Sequence, residues 1–415
     1  MSPELSKTLQ NKKLKHLAHL EIELFCKGLK IDGSCELEKD GRAFSRTRAG
    51  LGDGLEIVLP SREKEIWLNA PVFEDFVKNS PYLIFKENGE YKILDEENKI
   101  TYPVKLPKTP SWYSKKTKRG IPMSQIGVLQ GTYLGIYLGQ TCKFWTLDKP
   151  VNCKFCTTGL NVGANEVEEK TVEDVVEVAL EAKKENSITF VHFNSGWQGG
   201  KDLEIPIPYV KALKKEVGVF VGLQAIPEKR EELKKYDYLK EAGVNHFSFC
   251  YEFHNPKYFA DVCPGKEKYI SQKAFFDALE YTSKLMGKGK VSGEIIAGIE
   301  PIEDTLRAID YITSIGAFPT VCIFRPLLGS EMEKFPSPSS EDIFKVFRHL
   351  YYSMRKNNIP MGIIPNIEVS LVVNPDDTKY LVERDLAWHI YDFKLKILKI
   401  LAKPWIRKEL TPKRT

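Results

Sequence analysis

Residues 139–159 read GQTCKFWTLDKPVNCKFCTTG, and this stretch decides how the chain is understood. It carries three of the eight cysteines: Cys142, Cys153 and Cys156, the last two as a C-x-x-C pair. Thiolates are soft ligands suited to iron–sulfur clusters and zinc. A short C-x-x-C loop presents two neighbouring coordination points. Three cysteines on one loop can hold three irons of a 4Fe–4S cube and leave the fourth iron open. Electron-transfer clusters take four cysteines, so a missing fourth ligand carries meaning. A structural zinc site also wants four protein ligands. The nearest histidines, His192 and His246, stand far along the chain at no finger-like spacing. A thioredoxin-like dithiol needs only the C-x-x-C and gives Cys142 no part. The cluster is the preferred reading. The alternative is a zinc-stabilised, non-enzymatic βα scaffold.

Around this loop the hydrophobic pattern alternates. Apolar runs at Ile188–Phe193, Val219–Leu223, His246–Tyr251, Ser292–Ile299 and Thr320–Arg325 read as strands. Helical patterns lie between them at 171–185, 205–216, 228–241, 271–287 and 302–315. Strands alternating with helices imply βαβ units and a parallel sheet. With the strand before Cys142, about six βα units are expected, fewer than a closed barrel needs. The expected fold is therefore α/β, a partial (β/α)6 TIM-like barrel.

The flanks differ in texture. Residues 1–120 open with a helical pattern ending near Gly28, followed by the strand-like runs LEIVLP, YLIF, YKIL and YPVKL. Asn88-Gly89 marks a hairpin turn. This predicts a small N-terminal α+β domain, a core over 121–330 and a mostly helical C-terminal extension over 331–415. In the extension, Ser339 or Ser340 is the N-cap of a helix, residues 363–373 look strand-like, and 384–402 form a lysine-studded apolar helix stopped by Pro404.

A cysteine triplet ending in C-x-aromatic-C after the first strand of a βα repeat resembles the radical S-adenosylmethionine (SAM) superfamily, with Phe155 at the aromatic position. Ten residues separate Cys142 from Cys153, more than the commonest spacing of that family. The core is similar to the biotin synthase and lipoyl synthase-like branch. The resemblance implies a 4Fe–4S cluster on Cys142, Cys153 and Cys156, and SAM lying across the strand ends. It implies SAM contacts from Ser195, Gly199 and Gly200 after the second strand, where Lys201 replaces the usual acid; a plain turn accounts for the same glycines. It implies further contacts from Glu252, from Lys266 in Cys263-Pro264-Gly265-Lys266, and from Glu294 and Gly298 on the fifth strand. Arg325 ends the sixth strand, facing an anionic group or serving a salt bridge. The activity implied is reductive SAM cleavage to a 5′-deoxyadenosyl radical, acting on an unidentified small-molecule substrate. An external flavodoxin- or ferredoxin-like electron donor is implied as well. The residues do not name the catalytic side chains.

Composition sets the remaining bounds. Lys and Arg number 61 against 56 Asp and Glu, a formal net charge of +5, too weak to argue for nucleic acid. The first residues lack the apolar core of a secretory signal, and no stretch approaches the roughly 18 apolar residues of a spanning helix. A cytoplasmic protein is expected. The apolar, lysine-bearing C-terminal helix either caps the molecule or touches a membrane surface.

Overall fold

In the computed structural model the described residues are 16–41, 45–46, 53–61, 63–224, 226–227 and 232–413. The largest sheet has seven strands. It begins with a short hairpin, β8 (Val128–Gln130) and β9 (Tyr133–Tyr137). Five strands then join in parallel, each beside the one before: β10 (Phe190–Asn194), β11 (Phe220–Gln224), β12 (His246–Glu252), β13 (Val291–Ala297) and β14 (Phe318–Ile323). Six parallel strands with one antiparallel edge make a curled half-barrel, as the alternating pattern predicts. The crossovers include α2 (Val172–Asn186), α3 (Ile207–Ala212), α4 (Lys235–Ala242), α5 (Gln272–Met286) and α6 (Ile302–Ser314). The helical pattern expected from 228 begins outside the described residues.

Strand periodicity separates two faces. Leu134, Ile136, Val191, Phe193, Val221, Leu223, Phe247 and Phe249 are buried in the core. The alternate residues Tyr133, Phe190, His192, Asn194, Phe220, Gln224, His246, Ser292, Glu294, Thr320 and Cys322 line the lumen. Gly222 makes room inside. A Cβ there would lie 2.4 Å from the Phe190 ring and 2.6 Å from that of His192.

Before the half-barrel come α1 (Leu17–Lys27) and two small sheets. One is ordered β1 (Lys30–Ile31), β5 (Tyr82–Glu87), β6 (Glu90–Asp95), β7 (Ile100–Pro103). The other comprises β2 (Ser45–Arg46), β3 (Asp53–Leu59) and β4 (Ile66–Ala70). The β5–β6 hairpin turns at Asn88 and Gly89, with φ of 53° and 83°, the left-handed pair that a two-residue hairpin requires.

Two expectations for the C-terminal part are corrected. Residues 363–373 form no strand; Val369 makes a single bridge to Gly131. The segment is held instead by Thr132 N donating to Glu368 O (3.0 Å) and Asn69 N to Ser370 O (2.6 Å). Its apolar side chains face the lumen rather than a pleated neighbour. The last helix, α8 (Leu386–Glu409), runs through Pro404 instead of stopping there. Pro404 is exposed, on the side of the helix where a carbonyl without its intrahelical donor is open to solvent rather than to the core. Between them α7 (Ser340–Lys356), N-capped by Ser339, packs on α1 and α6.

Candidate active site

The cysteine loop leaves the C-terminal end of β9. Cys142 caps a single helical turn, Lys143–Thr146, and Lys143 N donates to Trp197 O (2.9 Å). Cys153 and Cys156 close a tight turn through Cys156 N and Cys153 O (3.0 Å). The loop is sewn to its neighbours: Gly196 N donates to Tyr137 Oη (2.8 Å), and Gln198 Nε2 donates to Gln140 O (2.8 Å). Lys154 N donates to Val262 O (2.9 Å), and Gly265 N to Val151 O (3.0 Å).

Two glycines permit these close approaches. A Cβ at Gly196 would lie 2.2 Å from Cys142 Cβ and 2.9 Å from its Sγ. A Cβ at Gly265 would lie 2.5 Å from Val151 O and 2.7 Å from the Phe144 ring. Phe144, Trp197 and Tyr269 stack beside the loop, with centroids 4.8 and 5.0 Å apart in sequence. Phe155 meets Phe253 edge-on at 6.3 Å.

The three thiols stand in one another's electrostatic field. Burial pushes Cys142 up to about 12, with nearby Cys156 and Cys153 adding to the rise. Burial also raises Cys156, again helped by Cys153. Cys153 goes the other way, lowered first by a hydrogen bond from Cys263, against burial, and then by Lys266. Among the described residues, no group of three or more His, Cys, Asp or Glu converges as a single metal ion requires. An iron–sulfur cube makes a different demand, because each thiolate takes its own iron. The donor set, three sulfurs on one loop with a lysine beside them, fits the cube and gives the zinc scaffold no support.

The strand ends bring some of the expected residues together. Lys266 Nζ lies 2.5 Å from Glu252 Oε1 and 2.6 Å from Cys250 O. Burial alone would depress the Lys266 ammonium; Glu252 and the surrounding thiols outweigh it and raise it well above the ordinary lysine range. Gly199 and Gly200 have φ of 80° and 89° in the turn after β10, with Ser195 half-buried at its start. That turn is closed by Asp202, which accepts from Gln198 N (2.8 Å) and Gly200 N (3.2 Å). Burial lifts its carboxyl to about 6. Glu294 points into the lumen, accepts from Cys250 Sγ and is raised by burial.

Other residues have different neighbours. Gly298, at φ 105°, backs onto Pro338, whose Cβ would lie 2.5 Å from an added Cβ. Arg325 is committed to Glu74, with further bonds to Asn69 and the Asp53 carbonyl, so the salt-bridge role accounts for it. Sequence reasoning passed over Asp202, one residue beyond Lys201, and named Cys263 within its segment without foreseeing its hydrogen bond to Cys153.

Below the strand ends lies a cavity of about 370 Å³. Its walls are largely apolar and aromatic, with the ionisable Glu294, Lys288, Lys290 and Asp376 also on the lining. Burial pushes His192 down to about 3 and His246 to about 4, so both rings are neutral near pH 7. His192 meets Ser248 Oγ at 3.3 Å, and His246 meets Ser292 Oγ at 3.3 Å. Two buried amide atoms on the wall, Gln130 Nε2 and Asn194 Oδ1, have no hydrogen-bond partner among the described residues. Cys322 and Leu371 line both this cavity and a smaller cleft that includes Phe155.

No family model matches the chain. Over 116 residues it is 28% identical to the bacteriochlorophyllide c C-7(1)-hydroxylase of Chlorobaculum limnaeum. That stretch is 28% of each protein, so the match spans under a third of the relative's length. Among solved structures, methylornithine synthase aligns with a TM-score of 0.40 at 20% identity, over 64% of this chain and 81% of that one. A radical SAM methyltransferase from Sphaerobacter thermophilus aligns at 0.42 and 13% identity, over 68% and 76%. The C-x-aromatic-C triplet on the first βα loop, the parallel half-barrel behind it and the glycine-lined approach of the second and fourth strand ends are the features in which this chain resembles the radical SAM superfamily of enzymes.

Proposed function

We propose that Cys142, Cys153 and Cys156 hold a 4Fe–4S cluster whose open iron takes SAM, and that the chain directs the resulting chemistry at a neutral, largely apolar small molecule in the lumen. When bound, the pair supplies one-electron cleavage of the SAM sulfonium and a 5′-deoxyadenosyl radical that abstracts hydrogen. The observation that carries this reading is the seating of three mutually interacting thiols on one loop, against Gly196 and Gly265.

The chain's own residues do the positioning. Lys266 keeps a positive charge behind the cysteine loop, which favours thiolates there. The turn at Ser195, Gly199 and Gly200 offers backbone groups to the amino-acid end of SAM; Glu252 at the end of β12 and Gly298 just past β13 serve the remainder, with Glu294 facing it from the lumen. The apolar lumen excludes water from a reactive radical. Its neutral histidines and the two polar atoms Gln130 Nε2 and Asn194 Oδ1 favour an uncharged substrate carrying a few polar groups. A flavodoxin- or ferredoxin-like donor is the external partner this chemistry calls for.

Anaerobic reconstitution tests it. About four irons per chain, absorbance near 400 nm and 5′-deoxyadenosine formed from SAM under reduction are the expected results. Cys142→Ala, Cys153→Ala and Cys156→Ala should each abolish all three. One zinc per chain, or full absorbance in the three variants, would refute the proposal.

A further inference from the structure

α8 has two apolar faces. One packs on the molecule through Trp388, Tyr391, Leu395 and Ile406, all buried. The opposite one is Leu386, Ile390, Phe393, Ile397, Ile400 and Leu401, at i, i+4, i+7, i+11, i+14 and i+15, a single stripe along the helix. All six are exposed, Phe393 by 63% and Leu401 by 68%. Scattered exposed leucines need no explanation, but a continuous row of large apolar side chains marks an interaction surface.

The borders of the stripe are basic. Lys394 lies on one side, Lys396, Lys403 and Arg407 on the other, and Lys408 at its end. The two acids of the helix are already engaged, Asp392 with Lys396 (2.7 Å) and Glu409 with Lys214 (2.7 Å). Among the described residues, no helix is long and apolar enough to cross a membrane.

We propose that α8 lies flat on an anionic lipid surface. The stripe enters the boundary between headgroups and acyl chains, and the lysines and arginine reach lipid phosphates. A second copy suits this face less well. Two-fold pairing of the stripe would set one basic border against another, with no free acid on the helix to answer it. Trp405 belongs both to α8 and to the wall of the lumen cavity, so a seated helix brings the cavity beside the bilayer.

The test is flotation of the full chain with two kinds of vesicle, phosphatidylcholine alone and phosphatidylcholine with roughly one-third phosphatidylglycerol. Binding should be at least about tenfold stronger to the anionic vesicles and should weaken with salt. Phe393→Glu, Ile397→Glu and Ile400→Glu together should lower it more than about tenfold, with circular dichroism and melting unchanged. Lys403→Gln and Arg407→Gln should each lower it about fivefold. No binding, equal binding to both vesicles, or a dimer in sedimentation velocity that the triple variant splits would each overturn the proposal. None of these readouts needs the cluster or SAM.

Discussion

Lys266 Nζ and Glu252 Oε1 are 2.5 Å apart, and both residues are buried beside the cysteine loop. Glu252 holds a left-handed φ of 65° at an irregularity in the β12–β13 pairing. A non-glycine residue keeps such a conformation only where its surroundings over-determine it. Here the ion pair does so, tying the end of β12 to the segment that packs on Val151 and Phe144.

Removing one partner of this pair strands the other charge. Lys266→Met should destabilise the apo protein by about 3–5 kcal/mol. Lys266→Met combined with Glu252→Gln should recover most of that loss, because no charge is left unanswered. Denaturant unfolding of the four proteins gives the coupling. Additive single effects would show that the pair is not the reason for the cost.

Gly196→Ala places a methyl group where Cys142 already stands, 2.2 Å from its Cβ. The loop must move, and with it one of the three thiols. Iron content after anaerobic reconstitution should fall from about four per chain to below about one, while far-UV circular dichroism is unchanged. Full iron loading in this variant would mean that the contact has no part in holding the cluster loop.

Arg325 is paired with Glu74, itself 3% exposed at its side chain. Arg325→Ala should therefore lower the stability of the apo protein by about 3–5 kcal/mol, and added SAM should not be needed to reveal the loss. Unchanged apo stability with a raised KM for SAM would reassign Arg325 to the cofactor.

Glu300 accepts from Asn255 N (2.9 Å) and His254 N (3.3 Å), yet burial outweighs these bonds and raises its carboxyl to about 7. The folded state therefore holds its proton more tightly than the unfolded chain does. Between the ordinary carboxylate range and pH 7, stability must fall as pH rises. Its share of the loss between about pH 5 and 8 should be roughly 3 kcal/mol at most. Glu300→Gln should flatten that part of the pH–stability curve, and an unchanged slope would contradict the assignment.

Much of this architecture is legible in local pattern. Alternating apolar runs predict the six parallel strands, and Asn88-Gly89 predicts the β5–β6 hairpin. Cys142, Cys153 and Cys156 are recognisable because their chemistry and spacing lie on one loop. Hydrophobic periodicity does not distinguish an irregular lumen wall from a strand, so residues 363–373 were not legible. Nor was the passage of α8 through Pro404, which depends on that residue facing water.

The contacts that give the site its character join residues far apart in the chain. Cys263 reaches Cys153 and Lys266 reaches Glu252 because the segment after β12 folds back onto the cysteine loop. Arg325 meets Glu74 across a separation of 251 residues. Residue type and spacing determine which backbone each segment prefers and which thiols share a loop. Only the tertiary packing of the crossovers decides which buried charge finds which partner, because that choice is made by long-range burial and not by neighbours in sequence.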